Sequence, residues 1–232
     1  YGESDDFSYA LKLHNEGFYD IAAQQFKIFL ERYPTSERVP EARYYRGLSL
    51  FNKEDYESAR IEFQSLAVTY PNHQRSPEAW QKVGESYLKL AKWEDAARAF
   101  ETVKILYPGD PLAPVTLFEA AKIYYQQNML NKAEMTLKDF IDRYPDSNYY
   151  PNGRLLYANI LLSQQNYDKA FQEYQKVLAS ATEQSLQAEA HLGLGKFYSQ
   201  LGQIQRAEEE YQIVLSKFTL TPSQLDAALR YS

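Results

Sequence analysis

The 232-residue sequence predicts an all-α fold: a solenoid of six helix–turn–helix repeats, each 37 residues long, closed by a further helix. Three observations predict it. An Ala-x3-aromatic/Leu segment returns at a fixed offset of 37 residues, five times in succession. A column of small residues keeps the same offset twelve positions earlier. Prolines bracket four of the joints, in Pro-x5-Pro segments with the same period. A period of this length is the signature of stacked units, each of which buries its apolar face on its neighbours.

The first repeat, about 3–39, has Ala10 and Leu13 on one face of its first helix and Tyr19, Ala22 and Phe26 on its second, which stops at Tyr33-Pro34. Residues three and four apart share a helix face, so these columns are the contact between the pair. The second repeat, 40–76, carries Gly47 and Leu50, a polar turn over Asn52–Asp55, then Tyr56, Ala59, Phe63 and Tyr70-Pro71. The third, 77–113, carries Gly84, Tyr87, Trp93, Ala96, Phe100 and Tyr107-Pro108. The fourth, 114–150, carries Ala121, Tyr124, Leu130, Ala133, Leu137 and Tyr144-Pro145. The fifth, 151–187, carries Ala158, Leu161, a Gln165-Asn166 turn, Tyr167, Ala170 and Tyr174, but ends in Ala181-Thr182. The sixth, 188–221, carries Gly195, Tyr198, Ile204, Ala207 and Tyr211 and ends in Phe218-Thr219. Pro40, Pro77, Pro114 and Pro151 open the following first helices, where a missing N–H costs nothing. Residues 222–232 start like a seventh first helix, with Ala227 matching Ala190 and Leu229 matching Leu192, and form a terminal cap on the array. The whole chain, 1–232, is thus expected to be a single repeat domain.

Composition removes several function classes. The net charge is −6 and the pI about 5.2, which disfavours a phosphate backbone and hence nucleic acid as a partner. No apolar run approaches the length of a membrane span. There is no Cys, which excludes disulfides, thiolate catalysis, zinc–thiolate sites and iron–sulfur clusters. Tyr occurs 21 times, and the period places most of these rings in repeat columns rather than in a site. The tyrosines before the prolines (Tyr33, Tyr70, Tyr107, Tyr144) are read as packing at the inter-repeat joints. His14, His73 and His191 are isolated in sequence and are read as surface or groove-edge residues. No phosphate-binding Gly-rich loop is present, and Gly109-Asp110-Pro111 reads as a turn. Acidic clusters such as Glu94-Asp95 and Glu208–Glu210 complement helix dipoles on solvated faces. These residues offer no catalytic site, no metal site and no cofactor.

The columns of Trp/Leu, Gly, Tyr, Ala, Phe and Pro resemble the tetratricopeptide repeat, a 34-residue helix–turn–helix, with three residues added in the Pro-x5-Pro loop. The resemblance implies a right-handed superhelical solenoid whose first helices line a concave face. Counting the small residue as position 8, it implies that positions 5, 9 and 12 face that groove. The candidate partner-binding residues are then Phe7, Tyr44, Leu48, Phe51, Gln81, Phe118, Lys122, Tyr125, Leu155 and Asn159. A cluster of Tyr44, Phe51, Phe118 and Tyr125 is expected to be accessible, in a groove suited to an apolar or amphipathic peptide. Repeats that clamp chaperone carboxylates need Lys at position 5 and Asn at position 9. No repeat here has that Lys, and only Asn159 fits position 9.

Arg32–Ala42 and Arg143–Gly153 share Tyr-Pro-x-Ser-x3-Pro. This loop, and the opening Tyr9–Ala22, resemble long-loop repeats of bacterial envelope proteins: the Tol-Pal-associated coordinators of the YbgF/CpoB type and the BamD-like outer-membrane assembly lipoproteins. The resemblance implies a non-catalytic scaffold that docks a protein partner, periplasmic or associated with the outer membrane. The chain begins at Tyr1 rather than Met, so a leader or a lipid-bearing tether upstream is an open expectation. The alternatives are a recognition arm of a larger enzyme or signalling protein, whose active domain lies outside this chain, and a cytoplasmic adaptor.

Overall fold

The computed structural model describes residues 2–231, with side chains for 2–230. Thirteen helices account for its regular structure, and no strand occurs among the described residues. The first repeats pair α1 (Glu3–Asn15) with α2 (Tyr19–Arg32), α3 (Val39–Asn52) with α4 (Tyr56–Thr69), and α5 (Ser76–Lys89) with α6 (Trp93–Leu106). Next come α7 (Leu112–Gln126) and α8 (Leu130–Arg143), α9 (Tyr150–Ser163) and α10 (Tyr167–Ser180), α11 (Gln184–Gln200) and α12 (Ile204–Lys217). The chain ends in α13 (Pro222–Tyr231). Ser232, the last residue of the predicted terminal helix, lies outside the described residues.

Two compact units divide within α7, one running to Ile123 and the other from Tyr124. In the first, successive helices from α1 to α6 pack in order, and α1 also meets α3. In the second, α8 to α12 pack in order, α9 meets α11, and α13 lies on α11 and α12. This neighbour-on-neighbour pattern is what a repeat array requires.

Each repeat is built by the columns that the sequence displays. The Ala of every second helix is buried, as is the large residue four positions on, from Phe26 to Tyr211. The small column meets these large residues. A Cβ on Gly47 would lie 2.7 Å from the Phe63 ring, and one on Gly84 would lie 2.5 Å from Phe100. Such distances are far inside van der Waals contact, so only glycine lets these two helix pairs close. Gly195 stands in the same relation to Tyr211.

The turn inside each repeat has one geometry. Gly17, Glu54, Ala91, Asn128, Gln165 and Gly202 all adopt positive φ, between 56° and 84°, at intervals of 37 residues. The next residue's N–H reaches back five positions in each case, as from Phe18 to the Leu13 carbonyl at 2.9 Å and from Asp55 to the Leu50 carbonyl at 2.9 Å. This left-handed C-cap satisfies the carbonyls that a helix end leaves free.

The four Tyr-Pro loops are likewise copies of one another. The residue three after each tyrosine (Ser36, His73, Asp110, Ser147) donates its N–H to the tyrosine carbonyl. Its side chain then accepts the N–H two residues further on, at 3.0, 3.1, 2.8 and 3.2 Å respectively. This is the local side-chain-to-backbone bonding that favours turns over helix. The fifth loop departs from the pattern. With no Pro at 182 or 188, α11 begins at Gln184, four residues before the expected repeat boundary, and runs for 17 residues.

Candidate partner-binding site

A concavity of about 400 Å³ in the second unit lies among first helices. Tyr125 of α7, Asn159, Leu162 and Ser163 of α9, and Glu189, Leu192, Gly193, Lys196 and Gln200 of α11 line it, and Ser223, Gln224 and Ala227 of α13 close one side. That volume is within the usual range of ligand sites, about 300–1,000 Å³. On α11, Glu189, Gly193, Lys196 and Gln200 recur at the i, i+4, i+7, i+11 spacing of a single face.

Two buried side chains hold the polar groups of this cavity. Tyr174 is fully buried, and its hydroxyl donates to Asn159 Oδ1 at 2.6 Å. Burial pushes the Tyr174 phenol well above its ordinary pKa. It therefore stays a donor at every working pH and fixes the Asn159 amide with its NH2 left to donate. Gln224, 3% exposed, donates to Glu189 Oε1 at 3.1 Å and to Ser185 Oγ at 3.1 Å, while its Oε1 accepts the Thr221 N–H at 3.0 Å. Thus α13 is pinned to α11, and Glu189 is held at the cavity's edge.

Of the ten predicted groove residues, Tyr125 and Asn159 meet in this cavity. The expected accessible cluster is corrected at two members: Tyr44 is 4% and Phe118 7% exposed. Phe7 and Leu155, at the same repeat position, are buried as well. In these four repeats position 5 faces the helix contacts rather than the groove, whereas Leu192, its equivalent in the sixth, lines the cavity. Phe7 packs edge-on against Phe26 and Phe29 at 5.8 and 5.5 Å. Tyr44 is tied down by a 2.5 Å bond to Glu78 and lies under Arg75 at 4.4 Å, and burial, then Glu78, raises its pKa. Phe51, like Tyr125, is half-buried; it packs against Tyr56 at 5.1 Å, with the Lys82 ammonium over its ring at 5.8 Å. Leu48 and Gln81 are half-buried too, and Lys122 pairs with Glu119 at 2.7 Å and lies over Phe118.

Sequence reasoning missed Ser163, Glu189, Gly193 and Gln200 and the three residues of α13. The i, i+4, i+7, i+11 stripe on α11 was a signal for four of the cavity's residues. Nothing in the sequence indicated that Gln224 would reach Glu189.

Two of the histidines are half-buried in helix contacts. His14 Nδ1 bonds Ser49 Oγ at 2.8 Å, and the imidazole sits between the Tyr19 and Tyr45 rings, where burial lowers its pKa. His191 Nδ1 meets Glu210 at 2.6 Å across α11 and α12. That contact belongs to a column: Arg43–Glu62 and Arg154–Glu173 occupy the equivalent places. His73 is the loop residue that accepts the Arg75 N–H. Among the described residues no cluster of three His, Asp or Glu could hold a metal ion, and no helix is long and apolar enough to cross a membrane.

Fold and cavity together define a helical-repeat protein whose first helices present an open polar face. Models of a tetratricopeptide repeat-like domain and of a tetratricopeptide repeat match residues 67–226 and 13–77, and the chain belongs to this family. Members of the family generally mediate protein–protein interaction and are typically non-catalytic. Solved structures agree on the fold. A tetratricopeptide repeat protein from Parabacteroides merdae is 12% identical with a TM-score of 0.55, covering 99% of this chain and 98% of its own. Pseudomonas aeruginosa pilF is 15% identical with a TM-score of 0.56, covering 97% and 96%. MamA from Desulfovibrio magneticus RS-1 is 19% identical with a TM-score of 0.54, covering 76% and 93%. No curated protein sequence matches the chain.

Proposed function

We propose that this chain is a non-catalytic protein-interaction scaffold of a bacterial cell envelope, periplasmic or tethered to the outer membrane, that holds a partner polypeptide against its first helices. The observation that carries the reading is the open cavity of the second unit, where Asn159 offers donors and Glu189 and Lys196 offer charge around an apolar floor of Leu162, Leu192 and Ala227. Protein partners are recognised by this mixture of apolar contact and placed polar groups. The envelope assignment is supported by the Tyr-Pro-x-Ser-x3-Pro loops, which resemble those of envelope scaffolds and share one hydrogen-bonded build.

The test is photo-crosslinking in the native organism from a reactive residue at Gln200, with Met135, 73% exposed on α8, as the control position. One polypeptide should attach from Gln200 and not from Met135, and the adduct should fractionate with the periplasm or outer membrane. Equal labelling from both positions would refute the first-helix site. An adduct confined to the cytosol would refute the envelope assignment.

A further inference from the structure

We propose that the cavity of the second unit selects its partner by charge register: it takes an extended segment with a cationic side chain against Glu189 and an anionic one against Lys196, three residues apart. The inference rests on the interaction reading above and specifies the partner's chemistry. Glu189 and Lys196 are exposed, line the same cavity and lie seven residues apart on one face of α11. At 1.5 Å per residue their backbones are separated by about 10 Å along the helix. In a polyproline II segment residues i and i+3 fall on the same side, about 9 Å apart. A β-strand offers same-side pairs at about 7 or 13 Å, which fit this spacing less well.

The neighbouring groups favour such an occupant. Polyproline II leaves its backbone carbonyls unpaired, so they are free to accept from Asn159, whose amide Tyr174 orients toward donation. Gly193, between the two charges, lets the buried Tyr174 ring close beneath it, since a Cβ there would lie 2.2 Å from that ring. Gln224 restrains the Glu189 carboxylate, so less side-chain entropy is lost when a cation arrives. A segment bearing two like charges would meet repulsion at one end, which makes the pair a discriminator as well as an anchor.

The test is fluorescence-polarisation titration of the full chain at low salt with three labelled hexapeptides. Each holds a Pro-Pro pair, flanked by lysine then glutamate, by glutamate then lysine, or by two glutamines. The parent should bind one charged order at least tenfold more tightly than both other probes. The double reversal Glu189→Lys/Lys196→Glu, with helicity checked by circular dichroism, should prefer the opposite order. Equal affinity for the three probes, or a preference that survives the reversal, would overturn the register and leave the interaction reading intact. Failure of all three probes to bind at millimolar concentration would also overturn it. The interaction reading itself falls only if crosslinking from Gln200 also finds no partner.

Discussion

At the scale of single residues, closeness of approach and buried polarity carry the stability. A methyl group placed on Gly84 lands 2.5 Å from the Phe100 ring, which is itself buried in the helix contact. Alanine gains about 1 kcal/mol of helix propensity over glycine, while overpacking costs about 1–3 kcal/mol, and the rigid ring makes the second term dominant. Gly84→Ala should therefore lower the urea midpoint, whereas Gly109→Ala, with open space around it, should not. Glu62 is a second such residue: it receives both Arg43 and Arg46 and is 6% exposed. Glu62→Ala leaves two guanidinium groups without their acceptor and should cost about 2–3 kcal/mol in chemical denaturation. His14 adds a pH dependence. Its folded pKa lies below the usual histidine value because burial disfavours the cation. Its contribution to stability is thus complete above the ordinary histidine range and is lost as the pH falls through the folded value. Between pH 7.5 and 5 the parent should lose more stability than His14→Gln, and parallel loss in both proteins would contradict this account.

At the scale of elements, two turns define the repeat, and one of them is not optimised. Four of the six left-handed positions hold residues other than glycine. A left-handed conformation costs an L-residue roughly 1–2 kcal/mol, and glycine's extra unfolded entropy offsets about 0.5–1 of that. Ala91→Gly should accordingly raise stability by about 0.5–1 kcal/mol, read as a higher thermal midpoint. The sequence made the elements legible to within a few residues, because the 37-residue columns are local and each helix end has its own signal. The start of α11 escaped because the absence of Pro at 182 and 188 lets a helix begin early without stating where. The turns at Asn52–Asp55 and Gln165-Asn166 were legible as polar segments, but the positive-φ column was not, because Glu54, Ala91 and Gln165 are not residue types that favour left-handed backbone.

At the scale of the whole molecule, contacts are made between neighbours, so damage should stay local. The cap α13 covers a cluster that includes Ala188, Leu192, Tyr211 and Val214. Removing residues 222–232 should speed amide exchange in α11 and α12 and leave α1–α6 protected. It should also weaken peptide binding, since Ser223, Gln224 and Ala227 form one wall of the cavity. Uniform acceleration of exchange along the chain would contradict a nearest-neighbour array.

The sequence by itself determined the helical-repeat class, the 37-residue period, the helix pairs and the residues that join them, because all of these follow from periodicity along the chain. Tertiary structure alone decided which predicted groove residues are free. Phe7, Tyr44, Phe118 and Leu155 look like ligand contacts in a column, yet burial depends on what the adjacent helices bring to the same place, and there they are packed away. The cavity depended equally on three dimensions: Tyr174 orienting Asn159 from beneath, and Gln224 reaching Glu189 across 35 residues of chain, are pairings of distant segments that no single-helix pattern encodes.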